Sequence, residues 1–179
     1  MSVYKVDQLP ELLKTNTYPG RGIVVGLTED GENAFFAYFI MGRSENSRNR
    51  IFSKTEDGII IYPFDESKVE DPSLIIYSPV RKINNTLIVT NGDQTDTVYD
   101  FMANGKSFEE ALNTRAFEPD APNFTPRISA AMDFNGGYTY KMNICMTTAG
   151  LVGTLHYITP PVNSIMLNSQ ILAAATHNN

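Results

Sequence analysis

Apolar residues recur along the chain in short runs broken by polar turn-forming clusters, the pattern of many strands rather than of long helices. Strands are predicted over 23–27 and 34–41, joined by Thr28-Glu-Asp-Gly-Glu-Asn33, whose composition suits a hairpin turn. The second run is apolar almost throughout, as expected of a strand covered on both faces. Further strands are predicted over 59–62, 74–77 and 87–90, with Asp57-Gly58 and Asn84-Asn85 as turns ahead of two of them.

The period then changes. Over 95–102, Val98, Phe101 and Met102 recur at helical spacing, and Gly105 stands where such a helix would end. Ser107-Phe-Glu-Glu110 has the capping-box pattern and opens a second helix carrying Phe108, Ala111 and Leu112. Two prolines and two acids make 118–125 a loop. Strand signals return over 128–132, 138–147 and 151–158, and a short helix is predicted near Leu9 to Leu13. Strands, two helices, then strands again indicate an α+β domain, with two sheets packed face to face and flanked by helices.

The length of 179 residues suits one domain, here read as a lead-in over 1–17, a core over 18–158 and a segment over 159–179. The net charge of -6 argues against nucleic acid or an anionic membrane as main partner, since both require surplus cations. A small anionic ligand needs only a local cluster. No apolar run is long enough for a membrane span, and the N-terminal sequence shows no apolar signal core, so a cytoplasmic location is expected. A single cysteine, Cys145, excludes an intrachain disulfide and a thiolate zinc site. His156 and His177 lack metal-ligand spacing, and neither suits a nucleophile–base pair. No structural metal is expected, and acid–base chemistry would fall to Tyr, Glu, Asp or Lys.

Three places offer binding chemistry. Arg43-Ser-Glu-Asn-Ser-Arg-Asn-Arg50 follows directly on the apolar strand and joins three arginines to neutral donors, a set suited to phosphate or carboxylate oxygens or, equally, to a solvated loop. Thr90-Asn-Gly-Asp-Gln-Thr-Asp-Thr97 lies between strand and helix. It suits either a ligand at the helix N-terminus or an ordinary turn with Asp93 or Thr95 as cap. In Thr125-Pro-Arg-Ile128, an arginine enters the core end of a strand and needs an acid or an anionic ligand, a structural salt bridge being favoured.

Taken in order, Tyr-Pro-Gly-Arg21 with Val-Val-Gly26, Arg43-Ser44 with Arg48-Asn-Arg50, Tyr77, NGDQTDT and TPRISAA resemble the archaeal-type IMP cyclohydrolase family over residues 18–158. The resemblance implies a four-layer α-β-β-α sandwich like that of the N-terminal nucleophile (Ntn) hydrolases. It also implies ring closure of 5-formamidoimidazole-4-carboxamide ribotide (FAICAR) to IMP with loss of water, a reaction that needs no metal or cofactor. Carried over by motif, Arg21 and Arg50 hold or polarise the substrate, Tyr77 handles a proton or orients, and Glu118 serves as general base or anchors the amide. Arg43, Ser44, Arg48, Asn49, Asn91, Gly92, Thr95, Asp96 and Arg127 then line the nucleotide site.

The sequence departs from the family pattern in the residues ahead of Tyr18, in Asn46-Ser47 where an aromatic–proline step is usual, and after Pro160. Two other readings use the same scaffold: a non-catalytic purine-nucleotide-binding module, and an Ntn-type amidohydrolase acting on another small amide. Sandwiches of this kind often oligomerise, so a homo-oligomer is an expectation, although no motif marks an interface.

Overall fold

The computed structural model describes Lys14 and residues 16–69, 72, 75–148, 151–158 and 166–169, the last two segments by backbone only. The helix expected near Leu9 to Leu13, and His177, lie outside the described residues. The described chain is α+β, and all its strand pairs are antiparallel. Strands β1 (Arg21–Leu27) and β2 (Ala34–Ile40) form a hairpin, and β10 (Met166–Ser169) pairs on the other side of β1, giving a three-stranded sheet in the order β10-β1-β2.

The second sheet runs β3 (Ile51–Lys54), β4 (Gly58–Tyr62), β5 (Tyr77–Ile83), β6 (Thr86–Thr90), β7 (Arg127–Asp133), β8 (Thr139–Thr148), β9 (Leu151–Ile158), in spatial as in chain order. Its helices are α1 (Glu45–Arg48), a single turn between β2 and β3, then α2 (Gln94–Ala103) and α3 (Phe108–Leu112) between β6 and β7. Bonds from Gly105 N–H to Met102 O and from Lys106 N–H to Phe101 O close α2, and Ser107 and Glu110 cap α3 reciprocally as their spacing predicts.

The period of two along each strand sorts side chains into two cores. Ile23 and Val25 of β1 meet Val80, Val89, Ile128, Ala130, Met132 and their neighbours between the sheets. The alternate face of the large sheet presents Ile88 and Ala131 to Val98, Phe108, Ala111 and Leu112 of the helices. Described residues thus stack as helices, large sheet, small sheet. Residues of β7 therefore take different surroundings by parity: Ile128 looks between the sheets, and Arg127 looks toward the helices.

Three expectations change. The apolar β2 is not covered on both faces; it is an edge strand of the small sheet, half-buried apart from the exposed Ala37, its apolar character serving mainly the side that carries Phe36 and Tyr38. The strand read as 74–77 begins at Tyr77 and runs on to Ile83. Asp93 occupies the N-cap of α2 but makes no side-chain cap bond, because Arg115 and Arg127 hold its carboxylate. Strands β3 and β10 carry too short an apolar signal to be read from sequence.

Candidate functional site

Residues at the start of β1 and in the loops after β2 and α3 line a cavity of about 350 Å³. Arg21 at the start of β1 and Arg43 and Arg50 in the connection between β2 and β3 line it, with Glu118 and Asp120 on the loop after α3. A second, apolar cleft of about 500 Å³ adjoins it, lined by Met41, Ile51, Phe52 and Ile61, and the two share Arg50, Ile40 and Gly42.

Arg21 is the first residue of β1 and shares the face of Ile23 and Val25, so its side chain enters the space between the sheets at its open end. Its guanidinium donates to Asn91 O at 2.6 Å and to Glu118 Oε2 at 2.9 Å. Burial works against its charge. The Glu118 carboxylate and the Tyr77 and Tyr38 phenols outweigh that and hold its pKa above the ordinary guanidinium value. Arg21 is therefore a fixed cation.

The arginine loop is built from its own polar residues. Ser44 and Ser47 form a capping box around α1, and Arg48 donates to Gly42 O and Arg43 O, each at 3.0 Å. A Cβ on Gly42 would stand 2.4 Å from the Ser47 backbone, so only glycine allows the loop to close on itself. Asn49 exchanges two 2.7 Å bonds with the Asp65 backbone. Arg48 and Asn49 thus shape the loop, while Arg43, Ser44 and Arg50 face the cavity. Arg43 stacks on the Tyr18 ring, its Cζ 4.6 Å from the centroid. Asn46 lines the cavity with a buried carboxamide oxygen that has no hydrogen-bond partner among the described residues.

Behind Arg21, Tyr77 of β5 meets Tyr38 of β2, hydroxyl to hydroxyl, at 2.7 Å. This bond joins the two sheets. Tyr77 is buried and is not among the cavity-lining residues; it lies one layer below Arg21. Burial pushes the Tyr38 phenol well above its ordinary value, and Tyr77 adds to the push while the Arg21 charge opposes it.

Asn91, Gly92, Thr95 and Arg127 form the wall beneath. Asn91, fully buried, accepts from Ile128 N and Gln94 Nε2 and donates to Pro126 O. Thr95 bonds Thr90 and the Gly92 carbonyl. Arg127 has the acid partner a structural arginine needs: Asp93 at 2.6 Å, with Gln94 Oε1 at 2.7 Å. Its parity aims it at α2, away from the cavity. Gly92 separates the two, since a Cβ there would lie 2.9 Å from Arg127 Nη1 and 3.5 Å from Glu118 Oε1. Asp96 stands on the exposed side of α2 and pairs with Arg81 at 3.0 Å.

The motif residues therefore divide. Arg21, Arg43, Ser44, Arg50 and Glu118 converge; Tyr77 backs them; Arg48, Asn49, Asn91, Gly92, Thr95 and Arg127 are framework; Asp96 is remote. Sequence reading missed Tyr38, whose signal was a lone hydroxyl in phase with Phe36 on β2, and Asp120, whose loop carried no periodic pattern. Among the described residues no group of His, Cys, Asp and Glu gathers as for a metal ion. Cys145 is buried, its thiol pushed up by burial. No described helix is long and apolar enough to cross a membrane.

Residues 18–166 match the family described as IMP cyclohydrolase-like protein. The chain belongs to that family. The IMP cyclohydrolase of Methanococcus aeolicus is 32% identical over 125 residues, covering 68% of this chain and 61% of the relative. That of Methanocaldococcus jannaschii is 32% identical over 123 residues, covering 68% and 59%. For the Methanopyrus kandleri protein the figures are 32% over 120 residues, covering 65% and 59%. The chain thus aligns with about three-fifths of the length of these relatives. The IMP cyclohydrolase-like match runs to residue 166, past residue 158 where the motif resemblance ended.

Proposed function

We propose that this protein is an IMP cyclohydrolase, closing FAICAR to IMP with loss of water. The observation that carries the reading is the convergence of Arg21, Arg43 and Arg50 on one cavity with Glu118 opposite, in a chain of the IMP cyclohydrolase-like family. In the reaction, the carboxamide nitrogen bonds to the formyl carbon. The formyl oxygen leaves as water, taking one proton from the carboxamide and one from the formamido nitrogen. Nucleophile and electrophile belong to one molecule, so the protein's tasks are to hold the reactive rotamer, polarise the formyl oxygen and move protons.

Arg21 is already satisfied by Glu118 and Asn91, so the phosphate falls to Arg43 and Arg50. That places the carboxamide at Glu118, which accepts its proton, and the formyl oxygen toward Arg21. The Asn46 carboxamide oxygen suits a ribose hydroxyl. Tyr77 supports proton transfer from beneath. The fit suggests a cytoplasmic enzyme of purine biosynthesis using neither metal nor cofactor, a single domain that completes the four-layer Ntn-like sandwich and assembles as a homo-oligomer.

Purified protein incubated with FAICAR and followed by ultraviolet absorbance tests this. Acceleration over spontaneous cyclisation is expected. No acceleration overturns the proposal, and IMP binding without turnover would instead identify a nucleotide-binding module.

A further inference from the structure

We infer that Asp120 is a specificity-determining residue of the cavity, its carboxylate accepting a ribose hydroxyl of the substrate and so selecting ribonucleotides over deoxynucleotides. The inference deepens the cyclohydrolase reading and rests on it. Asp120 lines the same cavity as Arg21, Arg43 and Arg50. Among the described residues it ion-pairs with none of them, whereas Glu118 of the same loop pairs with Arg21. Thr125 holds both of its oxygens instead. Oδ1 accepts from the Thr125 N–H at 2.7 Å, and Oδ2 accepts from the Thr125 hydroxyl.

An acid without a cation, on the wall of an arginine-lined cavity, is set to receive neutral donors. Each carboxylate oxygen has two acceptor positions, and Thr125 fills one on each. The phosphate and formyl oxygens of FAICAR are acceptors, and the phosphate is an anion as well, so both belong with the arginines. The carboxamide N–H belongs with Glu118. The ribose hydroxyls are the neutral donors left for Asp120.

The carboxylate is fixed before a ligand arrives. Glu118 N–H donates to Thr125 O at 2.9 Å and Asn123 N–H to Asp120 O at 3.0 Å, so the loop closes on itself. Phe117 and Phe124 pack edge to face across it, their centroids 5.3 Å apart. Little ordering is then left to oppose binding. Asn46 of α1 contributes a second acceptor to the same cavity, a buried carboxamide oxygen without a hydrogen-bond partner among the described residues. Two acceptors on separate segments suit a diol. A site that receives a hydroxyl leaves its acceptor unpaired when the hydroxyl is missing, and that loss rejects the deoxy analogue.

Isothermal titration calorimetry with IMP, 2′-deoxy-IMP and 3′-deoxy-IMP tests this without turnover. At least one deoxy analogue should bind the unmodified protein about tenfold or more weakly than IMP, the worth of one hydrogen bond to a charged group. In Asp120→Ala, IMP should weaken by a similar factor and the penalty for one of the two hydroxyls should vanish. Asp120→Asn keeps an acceptor for the Thr125 N–H, and with it the loop, and should shrink the same penalty several-fold. If Asp120 only offset the arginine charge, its removal would tighten IMP and leave the deoxy penalties as they were. That result overturns the inference. Equal affinity of the unmodified protein for all three nucleotides also overturns it, while the cyclohydrolase reading stands. No binding of IMP removes both together.

Discussion

The Glu118 carboxylate meets the Arg21 guanidinium at 2.9 Å, each side chain 14% exposed at the edge of the cavity. The pair links the loop after α3 to the first residue of β1, two segments 97 positions apart in the chain. It is set before any substrate arrives. Glu118→Gln keeps a hydrogen-bond acceptor for Arg21 but removes the proposed base, so FAICAR closure should fall by about two orders of magnitude or more with the melting temperature little changed. Arg21→Ala differs in kind, because it leaves a half-buried carboxylate unpaired; about 3 kcal/mol of stability should be lost as well as activity. Rate assays and thermal melts on the two variants separate these effects.

Arg48 and Arg50 are two residues apart yet predict different phenotypes. Arg50 lines both cavities, so Arg50→Ala should reduce turnover at least a hundredfold and weaken IMP binding, with folding intact. Among the described residues Arg48 donates to the loop's own carbonyls and lines the apolar cleft but not the cavity with Glu118, so Arg48→Ala should raise KM several-fold through a looser loop while kcat is retained. Asp96→Asn, which disturbs only an exposed pair with Arg81, should leave both constants unchanged and shift stability by less than about 0.5 kcal/mol. Steady-state kinetics on the three variants checks the ranking.

The framework role of Arg127 predicts loss of stability before loss of chemistry. Arg127→Ala leaves Gln94 Oε1 without its donor and Asp93 with Arg115 alone, and Gly92→Ala forces a methyl to within 2.9 Å of the same guanidinium. Each should lower stability by about 1–3 kcal/mol in a urea titration. At permissive temperature the KM for FAICAR should stay near that of the unmodified protein. A large rise in KM with unchanged stability would put Arg127 in the ligand site instead.

Stability should respond to pH at both ends. Burial tends to raise the Asp93 pKa, but Arg127 and Arg115 outweigh it and hold the folded value below the ordinary 3.8. A depressed carboxylate contributes stability above its unfolded value, and that contribution fades as pH falls below about 4 through the folded value. Asp57, held down by Arg81, acts in the same direction. At the alkaline end, burial and neighbouring Tyr140 push Tyr138 up to about 12, so its contribution is present below pH 10 and is lost between about 10 and 12. Melting temperatures across pH should show both losses, and Asp93→Asn should weaken the acid limb.

Local patterns made much of this fold legible. The hairpin at Thr28-Glu-Asp-Gly-Glu-Asn33, the capping box at Ser107 and the buried runs of β7 and β8 carry their signals within a few residues. Tyr38 did not, because its role comes from a residue 39 positions away across two sheets. The arginine motif named the right segment without sorting it. Arg48 and Arg50 have the same chemistry in sequence, and only the closure of the loop on Gly42 leaves Arg48 exposed on the loop's own carbonyls and sets Arg50 in the cavity. Arg127 illustrates parity: one step along β7 separates the inter-sheet space from the helix layer, and a motif alone does not tell which face a strand residue takes.

The position of bound IMP tests the central claim most directly. A crystal structure of the complex should show the phosphate between Arg43 and Arg50 and the purine edge at Glu118 and Arg21. IMP seated elsewhere, for instance against Arg127, would contradict the account.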